Sequence, residues 1–226
     1  MADTEMASVL AAAHNSAWLS HQDPMFREKL LRNAKLVKFS KNERIIRLDE
    51  KGSNLYFLFE GAIQVLTSRA NLEVILSDVV SPLEWFGEYG AFTERNNIME
   101  YRARTASVAL VVLRSRLIAL GEDSCFRRAA IDILANSVKR CLELSAGLAG
   151  LDGEERVRSK LHALTGTSYD ATYKGLRIVI SHEELASISC VSRTVVANVL
   201  SRLSNDNIIA TGYRSIVVLQ RERLLG

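Results

Sequence analysis

Ser192-Arg193-Thr194 opens a stretch whose side chains are of the right kind to read the edges of base pairs. At helical spacing, Ala197, Asn198 and Ser201 share its outward face. An arginine guanidinium donates two parallel hydrogen bonds that match guanine O6 and N7, and an asparagine amide matches adenine N6 and N7. Thr194 can set its methyl against a thymine methyl. Arg193 otherwise serves as a phosphate contact, and Asn198 is equally at home in solvent. Ser192 caps the helix and can touch a phosphate. His182 and Arg214 are within the same segment and are either phosphate contacts or plain surface residues.

The surrounding pattern supplies the scaffold. Ser181 is a good N-cap, and Glu184 three residues on completes a capping box. Leu185, Ala186 and Ile188 give the first helix its apolar stripe, and Ser189-Cys190-Val191 forms a turn to the second N-cap, Ser192. The second helix buries Val195, Val196, Val199, Leu200 and Leu203. Strands at Ile208-Ile-Ala210 and Ser215-Ile-Val-Val-Leu219, turned at Gly212-Tyr213, complete a winged helix-turn-helix.

Upstream the pattern changes twice. Residues 4–33 read as helical, with Asp23-Pro24 at a helix start. From Ala34 to about Leu120 come short strands separated by Gly52, Gly61, Asn71, Pro82 and Gly87, the signature of a jelly roll or barrel. A long helix follows from about Asp123 to Leu148. Ile131, Leu134, Val138, Cys141, Ser145 and Leu148 fall at alternating three- and four-residue steps, a seam suited to a second copy of the helix or to the chain's own β domain. Phe126, Ile133 and Leu142 form a second apolar set for the latter task. Ala149-Gly-Leu-Asp-Gly153 breaks the helix and makes a hinge. The expected fold class is α+β: a β-roll with N-terminal helices over 1–122, a dimerisation helix and hinge over 123–150, and the winged helix-turn-helix over 151–226.

These residues carry a family resemblance. Ile180 to Leu219 resembles the DNA-binding domain of the Crp/Fnr transcription regulators. Phe86-Gly-Glu-Tyr-Gly-Ala-Phe92 and Tyr101-Arg-Ala-Arg-Thr-Ala106 resemble that family's effector-binding, cyclic-nucleotide-binding-like roll, and Leu151 to Leu164 its hinge and following helix. The resemblance implies a homodimer that reads a near-palindromic site in double-stranded DNA with the helix 192–203, with RNA polymerase as a further partner. Two positions depart from it: many members carry Glu where Thr194 stands, and the best-known one carries Arg where Asn198 stands.

The resemblance also places an effector pocket. Gly87 and Glu88 match the Gly-Glu pair of cyclic-AMP-binding members. The Arg-Ser pair that clamps the phosphate falls at Asn97-Ile98, and the helix positions that meet the adenine fall at Cys141 and Leu142. Arg95 or Arg102 could take over the clamp only by a loop shift. A buried phosphate needs a paired cation or several N–H donors, so control by cyclic AMP is not expected and the small-molecule effector is left unidentified. An iron–sulfur cluster calls for about four thiolates, and Cys125, Cys141 and Cys190 are three and widely spaced. Haem needs an axial His or Cys, and Ala34–Leu120 contains neither. No cofactor is expected. Cys190, in the turn, is either a structural thiol or a redox switch that blocks DNA when oxidised.

Composition narrows the classes further. A formal net charge of +3 permits nucleic-acid binding without arguing for it, and from Leu176 onward six arginines face four acids. The acidic start Met1-Ala-Asp-Thr-Glu-Met and the lack of any span-length apolar run suggest a cytoplasmic protein with no membrane partner. The histidines, His14, His21, His162 and His182, have no metal-ligand spacing, so no metal site is expected. No nucleophile elbow, phosphate-binding loop or catalytic carboxylate pair is visible, which argues against an enzyme. The rival reading is a nucleotide-sensing module that acts on a protein partner. It requires an intact phosphate site and places no constraint on the 192–203 helix face.

Overall fold

The computed structural model describes residues 2–68, 74–121, 124–165, 169–170 and 175–225. The chain divides into two compact units, Met1–Arg140 and Cys141–Gly226.

In the first unit, α1 (Ala2–His14), a 3-10 turn (Leu19–His21) and α2 (Pro24–Arg32) precede the strands. The Asp23 carboxylate accepts from the backbone N–H groups of Met25 and Phe26, and Pro24 sits at the first helical position, where its missing N–H costs nothing. Among the described residues eight strands follow: β1 (Ala34–Phe39), β2 (Arg44–Ile46), β3 (Leu55–Glu60), β4 (Ile63–Ser68), β5 (Val74–Val80), β6 (Trp85–Phe86), β7 (Glu100–Ala103) and β8 (Ser107–Val112). They pair antiparallel in two four-stranded sheets, ordered β1-β8-β3-β6 and β2-β7-β4-β5.

Side-chain alternation explains the layering. Tyr56 and Leu58 of β3 and Val111 of β8 meet Ile46, Ile63, Val65, Val80 and Ala103 of the other sheet in the roll core. Leu55 and Phe57, with Leu110 and Val112, point the other way, onto a helical layer holding Val9, Leu19, Phe26 and Leu30. Both faces of β3 and β8 are therefore covered, and their sequences read as unbroken apolar runs. At the corner after β3, Gly61 has φ +100, and a Cβ there would lie 2.2 Å from Ser107 Oγ. Only glycine fits.

The helical layer ends in α5 (Ser124–Gly150). Its Phe126, Ala129 and Ile133 are buried in the same core. Trp18 Nε1 donates to the Ala129 carbonyl at 3.2 Å, and Gln22 Nε2 to Asp132 Oδ2 at 2.7 Å. At about 100° per residue, the face opposite this contact carries Ile131, Ala135, Val138 and Leu142, all exposed. This corrects the expected seam in two places. Leu134 is partly buried against the core of the helical layer, because it lies next to the Ile133 face. Leu142, assigned to packing on the roll, stands 65% exposed. Cys141, Ser145 and Leu148 are exposed as well.

Several elements escaped the sequence pattern. α3 (Glu88–Phe92), α4 (Arg114–Leu120), β6 and β7 are short, and β7 carries Glu100 and Arg102 where an apolar run would have marked it. Helix α5 runs on through Gly150, so the break is confined to Leu151-Asp152. Helix α6 (Gly153–Leu164) starts at once, with Asp152 and Glu155 in a capping box.

The second unit adds β9 (Tyr169–Asp170), β10 (Gly175–Ile178), α7 (His182–Ile188), α8 (Arg193–Asn205), β11 (Ile209–Gly212), β12 (Ser215–Val218) and a 3-10 turn (Arg221–Leu224). Its sheet has the order β11-β12-β10-β9, so the expected two-stranded wing is half of a four-stranded sheet.

Phe57 is fully buried, with its ring 5.2 Å from that of Trp85. Phe57→Ala is expected to destabilise the protein by about 3–5 kcal/mol through lost burial and a residual cavity, measured by urea unfolding.

Candidate nucleic-acid interface and effector pocket

The Ser181 backbone N–H donates to Glu184 Oε2 at 2.8 Å, and the Glu184 N–H donates to Ser181 Oγ at 3.2 Å. This reciprocal box sets the start of α7. After Ser189, the chain reverses through Cys190, which has φ +53. The Cys190 N–H donates to the Ser187 carbonyl and the Val191 N–H to that of Ala186, ending α7. Ser192 Oγ then accepts from the Val195 N–H at 3.3 Å and starts α8.

Helix α8 buries Val196, Val199, Leu200 and Leu203, with Val195 half-buried. Arg193, Thr194, Ala197, Asn198 and Ser201 are exposed on the other face, and Ser192 and His182 are exposed at the starts of α8 and α7. The wing turn differs from the sequence expectation. Gly212 pairs with Ser215, so Tyr213 and Arg214 make the turn, with Arg214 at φ +50. Gly212 is the last residue of β11, because its pairing with Ser215 extends the ladder by one step. Tyr213 is 93% exposed.

The arginines of this face already have acidic neighbours. Arg193 Nη2 pairs with Glu183 Oε1, and Arg214 Nη2 lies 3.7 Å from Glu184 Oε2. The sequence pattern singled out Glu184 as a capping residue and Tyr213 as a turn residue, and passed over Glu183. For Glu183 the only available signal was an acid in the first turn of a helix.

In the first unit, Gly87 precedes α3 with φ +85, and a Cβ there would stand 2.6 Å from the Asn54 carbonyl oxygen. Glu88 follows and is 6% exposed. Its Oε1 accepts from Ser137 Oγ of α5 at 2.5 Å and lies 3.6 Å from Arg140 Nη2, while Oε2 is buried without a hydrogen-bond partner. Asn97 is buried too, but its Nδ2 donates to the carbonyls of Glu50 and Gly52, at 2.9 and 2.8 Å. Ile98 is 55% exposed. Arg102 Nε donates to Glu100 Oε1 at 3.0 Å, and Arg44 Nε meets the other oxygen of that carboxylate at 3.1 Å. Arg95 is exposed. The pocket residues named from sequence thus share no single geometry. Glu88 is joined to α5, Asn97 to the 50–52 loop and Arg102 to Glu100. Ser137 and Arg140 were missed, because a serine and an arginine on a long helix give no signal of their own.

Among the described residues, no group of three or more His, Cys, Asp and Glu could hold a metal, and no helix is long and apolar enough to cross a membrane. Cys190, with a side chain at positive φ, carries backbone strain that glycine would relieve. Cys190→Val, β-branched in the same conformation, is expected to lower stability by about 1 kcal/mol, and Cys190→Gly to leave it unchanged or raise it, both read by urea unfolding.

Two family models match the chain: the cyclic nucleotide-binding domain over residues 36–124 and the Crp-like helix-turn-helix domain over residues 155–226. The chain is 26% identical over 196 residues to the cAMP-activated global transcriptional regulator CRP of Escherichia coli, covering 84% of this chain and 92% of that protein. It is 27% identical over 186 residues to the transcriptional regulator LdrP of Thermus thermophilus, covering 81% and 92%. Among solved structures, FixK2 from Bradyrhizobium japonicum superposes with a TM-score of 0.70 at 21% identity, over 84% of this chain and 95% of that one. A CRP-family transcriptional regulator from Thermus thermophilus gives 0.66 at 26% identity, over 84% and 96%. The order of roll, long helix and winged helix-turn-helix, matched along most of the chain, places this protein in the Crp/Fnr family of DNA-binding transcription regulators.

Proposed function

We propose that this regulator binds DNA as a homodimer, reads a near-palindromic site with α8, and does so without cyclic AMP. The exposed stripe Ile131, Ala135, Val138 and Leu142 supports the dimer: four apolar side chains in line on one helix face form the kind of surface that a second copy of the same helix covers. Two-fold symmetry then puts two copies of α8 in successive major grooves, about 34 Å apart. RNA polymerase is the expected partner of the DNA-bound dimer. Light scattering should give about twice the 25.1 kDa chain mass. Val138→Glu, which sets two charges face to face in an apolar seam, should yield monomer.

Independence from cyclic AMP is carried by one observation: the side chains at the phosphate position are already committed elsewhere. Both hydrogen-bonded directions of the Asn97 amide go to backbone carbonyls, Ile98 offers no donor, and Arg44 and Arg102 share Glu100. These residues do not fit a cyclic phosphate. The Escherichia coli relative is cAMP-activated. Relative to a charge-assisted clamp, the loss here is on the order of 4 kcal/mol, the difference between micromolar and millimolar affinity. The Glu88 carboxyl is engaged by Ser137 and Arg140 of α5, which gives the roll a link to that helix made by the chain's own side chains. Selection of duplexes from a random pool by the purified apo-protein should return a two-fold symmetric site. Adding cyclic AMP should leave the affinity unchanged, and calorimetry should detect no micromolar binding. A gain in DNA affinity with micromolar uptake would overturn this reading.

A further inference from the structure

Glu183 is an unexpected residue for a surface that approaches a polyanion. It is 70% exposed in its side chain, it lies outside the apolar stripe of α7, and the capping of that helix is done by its neighbour Glu184. An exposed ion pair contributes little to folding. Its ion pair with Arg193 joins the first turn of α7 to the first residue of α8.

We propose that Glu183 is a specificity-determining residue of the DNA-reading surface: it holds the Arg193 guanidinium for base recognition and repels backbone phosphate. The proposal rests on the reading that Arg193 addresses a base. A guanidinium has five N–H donors in a rigid fork. Two can face guanine O6 and N7 while another remains on Glu183, so the ion pair and the base contact are compatible. Fixing the plane of the fork in advance also lowers the ordering cost of docking it.

A phosphate contact is a different matter. It brings the Glu183 carboxylate beside a phosphate, and the two like charges repel. Thr194, next to Arg193, is uncharged, so the acid that tempers this arginine comes from the other helix. Arg214 is placed in the same way beside Glu184. Non-specific binding is almost wholly electrostatic, so Glu183 weakens it more than it weakens binding to the cognate site.

The experiment uses the full chain as wild type, Glu183→Gln, Arg193→Ala and the double variant, each checked for fold by circular dichroism. Affinity is measured by anisotropy for the selected site, for that site with its contacted G·C pair exchanged, and for a random duplex, over a series of salt concentrations. Glu183→Gln is expected to tighten random-duplex binding several-fold and to leave cognate binding equal or weaker. The ratio of the two should fall about tenfold, and the salt slope on random DNA should steepen by about one. In the Arg193→Ala background the substitution should no longer change the preference at the exchanged pair. An unchanged ratio in Glu183→Gln, or an equal fall whether or not Arg193 is present, would overturn the proposal. A uniform loss across all three duplexes in Arg193→Ala would instead overturn the base-reading role of Arg193.

Discussion

Strands β3 and β8 are apolar on both faces, and the rest of the first unit is arranged around that constraint. One face closes the roll against the second sheet. The other must be covered by something outside the sheets, and α1, α2 and α5 cover it. Burying Phe126, Ala129 and Ile133 there sets the rotation of α5 about its own axis. Everything else on the helix follows from that rotation. Ser137 and Arg140 are brought to Glu88, and Ile131, Val138 and Leu142 are turned to the opposite side.

The Glu88 contact gives this rotation a polar counterpart. A buried carboxyl must find donors, and it finds a hydroxyl and a guanidinium on the helix that also carries the open stripe. The roll and the helix are thereby joined through side chains of the chain itself. In the other unit charge is handled differently. Arg193 and Arg214 are left near the surface with acidic neighbours from the first turn of α7, so the charges of α8 and of the wing turn are met by charges on the preceding helix.

Local chemistry made much of this readable. The capping box at Ser181, the cap at Ser192 and the spacing of Val196, Val199, Leu200 and Leu203 each depend on residues within a turn or two of one another, and all appear where the pattern put them. The roll's longer strands were visible for the same reason. The strands that were missed, β6, β7, β9 and β10, are held by long-range pairing rather than by their own residues: β10 sits between β9 and β12, and β7 between β2 and β4.

The seam on α5 shows where this reading stops. A three-four repeat tells that a helix is amphipathic, but this helix carries apolar residues on two faces. Choosing between them needs the position of the roll. Leu134 is partly covered and Leu142 left exposed, the reverse of the expectation, because Trp18 and Gln22, more than 100 residues away in sequence, hold α5 at one particular angle. The pairing of Glu183 with Arg193 and of Glu88 with Ser137 and Arg140 was hidden for the same reason. By itself the sequence determined the longer strands and helices, the caps of α7 and α8 and the outward face of α8, since these follow from interactions between neighbours along the chain. Tertiary structure alone decided which face of α5 is covered and which charges meet, because burial and Coulomb attraction act through space between groups whose distance the chain order does not record.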